Sequence, residues 1–186
     1  AEEQGQGALH QGRTARALLT VEKPGRKTRF IADRMLGRLA RYLRLLGYDV
    51  EYPPAEPDSA LIARARSEGR VLLTRDRGII ERVGEGAPEV VEITSDAVLD
   101  QVEQLRVEGW LTGRLPPRCG YCNKPLECIP RWEAMHLVPP FVLAVQARYA
   151  WCGNCNIVLW EGTHWEYFHA AVTTKAGGLT PPENGD

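Results

Sequence analysis

Arg29-Phe30-Ile31-Ala32-Asp33-Arg34-Met35-Leu36-Gly37-Arg38-Leu39-Ala40-Arg41-Tyr42-Leu43-Arg44-Leu45-Leu46-Gly47 changes its hydrophobic period at Asp33. Before it stands a short apolar run, as in a buried strand. After it, Met35, Leu36, Leu39, Leu43 and Leu46 fall on one face of a helix that Gly47 closes. Arg34, Arg38, Arg41 and Arg44 recur along the same helix and predict a basic stripe opposite the apolar one. A strand feeding a helix is the unit from which parallel sheets are built.

The pattern continues outward. Tyr48-Asp49-Val50-Glu51-Tyr52 reads as a second strand, and residues 58–68 as a helix with Leu61, Ile62 and Ala65 on its apolar side. Arg70-Val71-Leu72-Leu73-Thr74 is continuous and apolar, as a strand covered on both faces should be, and it runs into Arg75-Asp76-Arg77-Gly78. Val90-Val91-Glu92-Ile93 ends at Thr94-Ser95-Asp96 and precedes a helix through Leu99, Val102 and Leu105. The alternation predicts an α/β domain over residues 29–112, a parallel sheet flanked by helices. Residues 113–117 read as a linker. Residues 1–28 and 175–186, rich in Gly, Pro and polar residues, are expected to be disordered tails.

Cys119-Gly120-Tyr121-Cys122-Asn123 and Cys152-Gly153-Asn154-Cys155-Asn156 are near-copies of one motif. Zinc takes four thiolates tetrahedrally, and two Cys-x-x-Cys turns complete that sphere. Gly120 and Gly153 are expected to let each turn fold tightly round the metal. The expectation is a zinc ribbon over residues 117–168 with little core of its own, its metal held by Cys119, Cys122, Cys152 and Cys155. With no open coordination position, that zinc is structural. Disulfides are the alternative, but residues 1–27 do not read as a signal peptide, and a cytoplasmic location is expected. Cys128 is expected to pack as a small apolar residue.

The 186 residues are 44% hydrophobic with a formal net charge of -1, so the whole chain is not an electrostatic nucleic-acid binder. Charge is nonetheless segregated. Lys23, Arg26, Lys27, Arg29, Arg34, Arg38, Arg41 and Arg44 gather in one stretch, while residues 81–108 are acidic. No window is apolar enough to predict a membrane span.

In parallel α/β sheets the ligand crevice lies outside the carboxyl ends of the strands, where Asp33, Asp76 and Asp96 are all placed. Asp58, at the start of its helix, reaches the same rim from the side. Gathered carboxylates repel unless a cation neutralises them, and hard oxygen ligands suit magnesium or manganese. Beside the arginine stripe, the chemistry this implies is metal-assisted attack of water on a phosphodiester. Each acid taken alone is better explained as a helix N-cap, and the arginines equally well as a solvated face.

Phe30 to Asp49, Asp58, Leu73-Thr74-Arg75-Asp76, the paired cysteine turns and Gly162-Thr163-His164-Trp165 together resemble the Mut-seven C-terminal RNase domain family. That resemblance implies a PIN-like nuclease fold with a zinc ribbon, and a metal-dependent ribonuclease. By position, Asp33 matches the first-strand acid, Asp58 the helix acid and Asp76 the acid of the Thr-Arg-Asp motif. Asp96 is a further catalytic candidate, in competition with Asp100. Asp33, Asp58 and Asp76 would hold magnesium or manganese; Arg34, Arg38, Arg41, Arg75 and Arg77 would hold RNA phosphates. Tyr121, Trp151, Trp160 and Trp165 either stack unpaired bases or pack round the zinc turns. RNA is the expected partner, with no membrane and no identified protein partner. The rival reading is a non-catalytic RNA-binding or ribosome-associated adaptor.

Overall fold

The computed structural model describes residues 28–84, 86–111, 115–160 and 162. Four strands, β1 (Arg29–Ala32), β2 (Asp49–Glu51), β3 (Val71–Thr74) and β4 (Val90–Glu92), form a wholly parallel sheet in the order β2-β1-β3-β4. Helices α1 (Gly37–Leu45), α2 (Asp58–Glu68), α3 (Arg77–Arg82) and α4 (Val98–Val107) connect or follow them, and a 3-10 turn, Arg34–Leu36, leads into α1.

Alternation along the strands divides the core in two. Phe30 and Ala32 of β1, with Val71 and Leu73 of β3, pack against Leu36, Leu39 and Leu43 from the α1 side and Val102 and Leu105 of α4. Ile31 and Leu72 point the other way, to Leu61 and Ala65 of α2 and Ile79 of α3. Every residue of β3 is buried, which explains its uninterrupted apolar run. Met35, expected on the apolar face, is instead 58% exposed, because the 3-10 turn sets it out of phase with α1.

A second sheet is antiparallel: β5 (Glu127–Ile129), β6 (Tyr149–Cys152) and β7 (Ile157–Trp160), in that order. Between β5 and β6 lie two short helices, α5 (Arg131–Ala134) and α6 (Pro140–Val145). Ala134 of α5, Val142 of α6 and Val138 between them form a small core with Tyr149, so this part has more apolar packing than its cysteines led one to expect. Cys128, expected to be packed, is exposed on β5.

The segment read as a linker is docked where it is described. Gly47 adopts φ +97°, and a Cβ there would lie 2.4 Å from Leu115 Cβ and 2.7 Å from the Pro116 carbonyl. Gly47 therefore both ends α1 in a left-handed conformation and lets the later chain lie on its backbone. Arg118 N then donates to the Arg44 carbonyl at 2.9 Å. Among the described residues no helix is long and apolar enough to cross a membrane.

Candidate functional site

In the strand order β2-β1-β3-β4 the chain leaves β1 and β3 towards opposite sides, and the gap between their carboxyl ends is the topological switch point. Asp33 follows β1 and Asp76 follows β3, so residues 43 positions apart by their numbers flank one gap. Asp33, Asp58 and Asp76 line a single pocket there with Arg34, Met35, Pro53, Glu56, Leu61 and Ile79. Glu56 was not anticipated. It sits in the loop between β2 and α2, whose prolines interrupt any periodicity, and only its nearness to Asp58 could have pointed to it.

Asp33 is 3% exposed. Its Oδ1 accepts from Met35 N at 2.7 Å, capping the 3-10 turn, and its Oδ2 accepts from Arg75 N at 3.0 Å and from the Thr74 hydroxyl. The same Thr74 oxygen accepts from Asp76 N at 3.0 Å, while Asp76 Oδ1 caps α3 through Gly78 N at 2.8 Å. Thr74, completely buried, thus links the two acids. Asp58 Oδ2 accepts from Arg82 at 2.8 Å. Both explanations of these acids hold together: Asp33 and Asp76 are caps, and they also share a pocket with Asp58 and Glu56.

The donor set is all hard oxygen, the type that suits magnesium or manganese. The carboxylates are not drawn into a coordination sphere, however. Among the described residues, the group of potential ligands whose atoms lie within 4.8 Å of one another is the four cysteines. Capping bonds occupy Asp76 Oδ1 and Asp33 Oδ1, while Asp58 Oδ2 is bonded to Arg82 and Glu56 Oε1 to Arg64.

Asp96 does not join the acids. It is 88% exposed, pairs with Arg75 and is absent from the pocket lining. Arg75, expected on phosphate, is thereby directed to Asp96 instead. Arg77 is 85% exposed, with Glu92 at 3.5 Å. Asp100, the alternative to Asp96, lies in the first turn of α4 and interacts with the Ser95 hydroxyl at 3.3 Å.

The arginine stripe divides. Arg34 and Arg38 are exposed. Arg41 Nη2 donates to Tyr121 Oη at 3.1 Å, and its Cζ lies 4.7 Å from that ring's centroid. Arg44, expected in the solvated stripe, is buried: it donates to the carbonyls of Val50 at 2.8 Å and of Gly120 and Tyr121 at 3.1 Å. Burial lowers the Arg44 pKa, offset by Glu51, Cys119, Cys122 and Asp49. The face read as solvated is where the cysteine knuckle docks.

In the knuckles, Asn123 (φ 65°) and Asn156 (φ 54°) take the left-handed conformation, with their N–H groups bonded to the Cys119 and Cys152 carbonyls at 2.9 and 2.8 Å. The turns close on asparagine, which tolerates positive φ, and not on the glycines as expected. Gly120 has a different use: a Cβ there would meet Arg41 Cγ at 3.0 Å.

Sulfur–sulfur distances of 3.9 Å (Cys119 to Cys155) and 3.4 Å (Cys122 to Cys152) bracket the edge of about 3.8 Å that a tetrahedron of ~2.3 Å zinc–sulfur bonds requires. Against burial, hydrogen bonds from the Lys124 backbone and the neighbouring thiols bring Cys122 down to about 7. Hydrogen bonding with Cys122, then burial, pushes Cys155 up to about 12. Four thiols this close compete for ionisation, and a divalent cation resolves that competition. The cluster fits zinc. Trp165 and His164 lie outside the described residues.

No curated protein and no solved structure matches the chain. A family model, the Mut7-C RNAse domain, matches residues 28–172, from the start of β1 past the second sheet. The chain, with its acids at the switch point and its four-cysteine cluster, belongs to the Mut7-C RNAse domain family.

Proposed function

We propose that the protein is a ribonuclease that hydrolyses RNA phosphodiester bonds at the pocket between the carboxyl ends of β1 and β3. The observation that carries this reading is the meeting of Asp33, Asp58, Asp76 and Glu56, from three separate segments, in one pocket at the sheet's switch point. Asp33, Asp58 and Asp76, with Glu56 beside them, would hold magnesium or manganese. Such an ion, when bound, supplies an activated water and neutralises charge on the phosphate.

The chain's own residues do the rest. Thr74 and the Arg75 N–H fix Asp33, and the α3 cap fixes Asp76, so both carboxylates are oriented before substrate arrives. Arg34 on the pocket wall, Arg38 on α1 and Arg77 on α3 would hold flanking phosphates. The zinc knuckle sets the position of α1 through Arg44 and takes no part in bond breaking.

The carboxylates' separation and capping bonds favour a second reading, an RNA-binding protein without hydrolytic activity. Cleavage of labelled single-stranded and structured RNAs with manganese, with magnesium and with neither decides between them. The ribonuclease predicts metal-dependent cutting that Asp76→Asn reduces by roughly a hundredfold or more. Asn preserves the cap, so folding is retained. RNA bound without cutting by both proteins supports the binding-only reading.

A further inference from the structure

We propose that the surface running from the acid pocket along α1 to the first cysteine knuckle is a track for single-stranded RNA, with one base stacked on the Tyr121 ring. This rests on the ribonuclease reading and extends it to the ribbon, which becomes part of the substrate surface.

Charge marks the track. Residues 34–46 and 115–126 lie against each other through Arg118 N on the Arg44 carbonyl and Arg44 on the Gly120 carbonyl. Together they contain Arg34, Arg38, Arg41, Arg44, Arg118 and Lys124 and not one Asp or Glu, in a chain whose net charge is -1. Arg44 and Arg118 are taken up in the junction itself, Arg44 buried and Arg118 donating to the Asn123 carbonyl at 2.7 Å. Arg34 and Arg38 are exposed and have no ion-pair partner among the described residues. Exposed guanidinium groups recurring along one helix are complementary to a phosphate backbone.

Apolar groups mark its two ends. Met35 lines the acid pocket and is 58% exposed; Tyr121 is 59% exposed on the knuckle. Between Arg34 and Arg41 the helical rise spans about 10 Å, the axial length over which a stacked strand presents about three phosphates. A chain with its scissile phosphate at the pocket and its backbone along the arginines therefore arrives at Tyr121.

The ring is held ready. Arg41 lies over it and donates to its hydroxyl, and Gly120 leaves room for the Arg41 stem, so the side chain is ordered before a ligand comes. An ordered ring with an open face is a stacking platform for any base. An acidic protein partner would use the arginines, but it would gain little from a ring already carrying a cation.

The test measures binding by fluorescence anisotropy, using the full chain carrying Asp76→Asn so that the probe survives. The probe is a labelled single-stranded RNA of about six nucleotides, compared with the same sugar-phosphate chain lacking its bases. Bases should tighten binding, and Tyr121→Ala should remove roughly a tenfold share of that gain, with Tyr121→Phe within about twofold of Tyr121. Arg38→Ala should reduce the slope of log affinity against log salt by about 0.7. Zinc content is read in parallel; if Tyr121→Ala loses zinc, Tyr121→Leu, which keeps an apolar group on the knuckle, replaces it. Bound RNA that gains nothing from its bases, or that binds equally well to the Ala or Leu variant, overturns the track and leaves the ribonuclease reading standing. RNA that does not bind the reference protein at all overturns both.

Discussion

The side-chain carbonyl of Asn123, on the first cysteine knuckle, accepts a hydrogen bond from the backbone N–H of Val50 at 3.1 Å, closing the outer edge of the parallel sheet. Its amide donates to Asp49 at 2.8 Å and Glu51 at 3.2 Å. Asn123→Ala leaves a buried N–H unpaired and puts a Cβ-bearing residue without a local polar partner at φ 65°. Together these should lower stability by about 2–4 kcal/mol. Equilibrium urea unfolding, with zinc kept saturating, measures it.

Thr74 joins Asp33 to Asp76 through one buried hydroxyl. Thr74→Val preserves shape while leaving the Asp76 N–H and an Asp33 oxygen short of a partner. It should cost about 1–3 kcal/mol and reduce any cleavage, whereas Thr74→Ser restores both. Unfolding midpoints and cleavage rates of the two variants, measured side by side, check this; Ser behaving like Val would reject the link.

Asp49 gives a prediction in pH. Burial alone would raise its carboxyl, but hydrogen bonds from Arg70 and Asn123 outweigh it and hold the pKa below the ordinary value. A carboxylate depressed in the folded state stabilises it above the unfolded pKa of about 3.9 and loses that contribution as pH falls through the folded pKa. The stability difference between the native chain and Asp49→Asn should therefore be greatest above about pH 5 and shrink as the solution is acidified below about pH 4. Paired urea titrations across that range decide it, since other acid effects are common to both proteins.

Removing the metal should separate the two sheets in stability. Cys152→Ser, which takes out a buried ligand, should bring zinc content from about one per chain to near zero. Amides of β5, β6 and β7 should then lose protection from hydrogen exchange while β1 and β3 retain most of theirs. Elemental analysis and peptide-resolved exchange give the two readings, and a ribbon equally protected with no metal would show that its apolar cluster suffices.

The parallel sheet was legible because β1 and β3 are covered on both faces and their strand–helix junctions carry an acid. The period change at Asp33 is local information. Arg44 was not legible: spacing places it with Arg34, Arg38 and Arg41, and only the arrival of Gly120 and Tyr121, more than seventy positions later, buries it. Asp96 failed for a related reason, since a position after a strand fixes where the backbone is and not whether Arg75 turns towards it. Helices α5 and α6 are too short to display a period, and α3 begins directly after the Thr-Arg-Asp motif that drew attention to itself as chemistry.

The hydrogen bond from Val50 to Asn123 also bears on how the chain is made. β2 is the outermost strand on its side of the sheet, and during synthesis it exists for some seventy residues before its cover emerges. An uncovered strand edge is a template for pairing with another chain. Because Asn123 reaches Val50 only from a folded knuckle, a knuckle that holds zinc would make metal supply set how long a newborn chain offers that edge, and cells starved of the metal should accumulate this protein as aggregates.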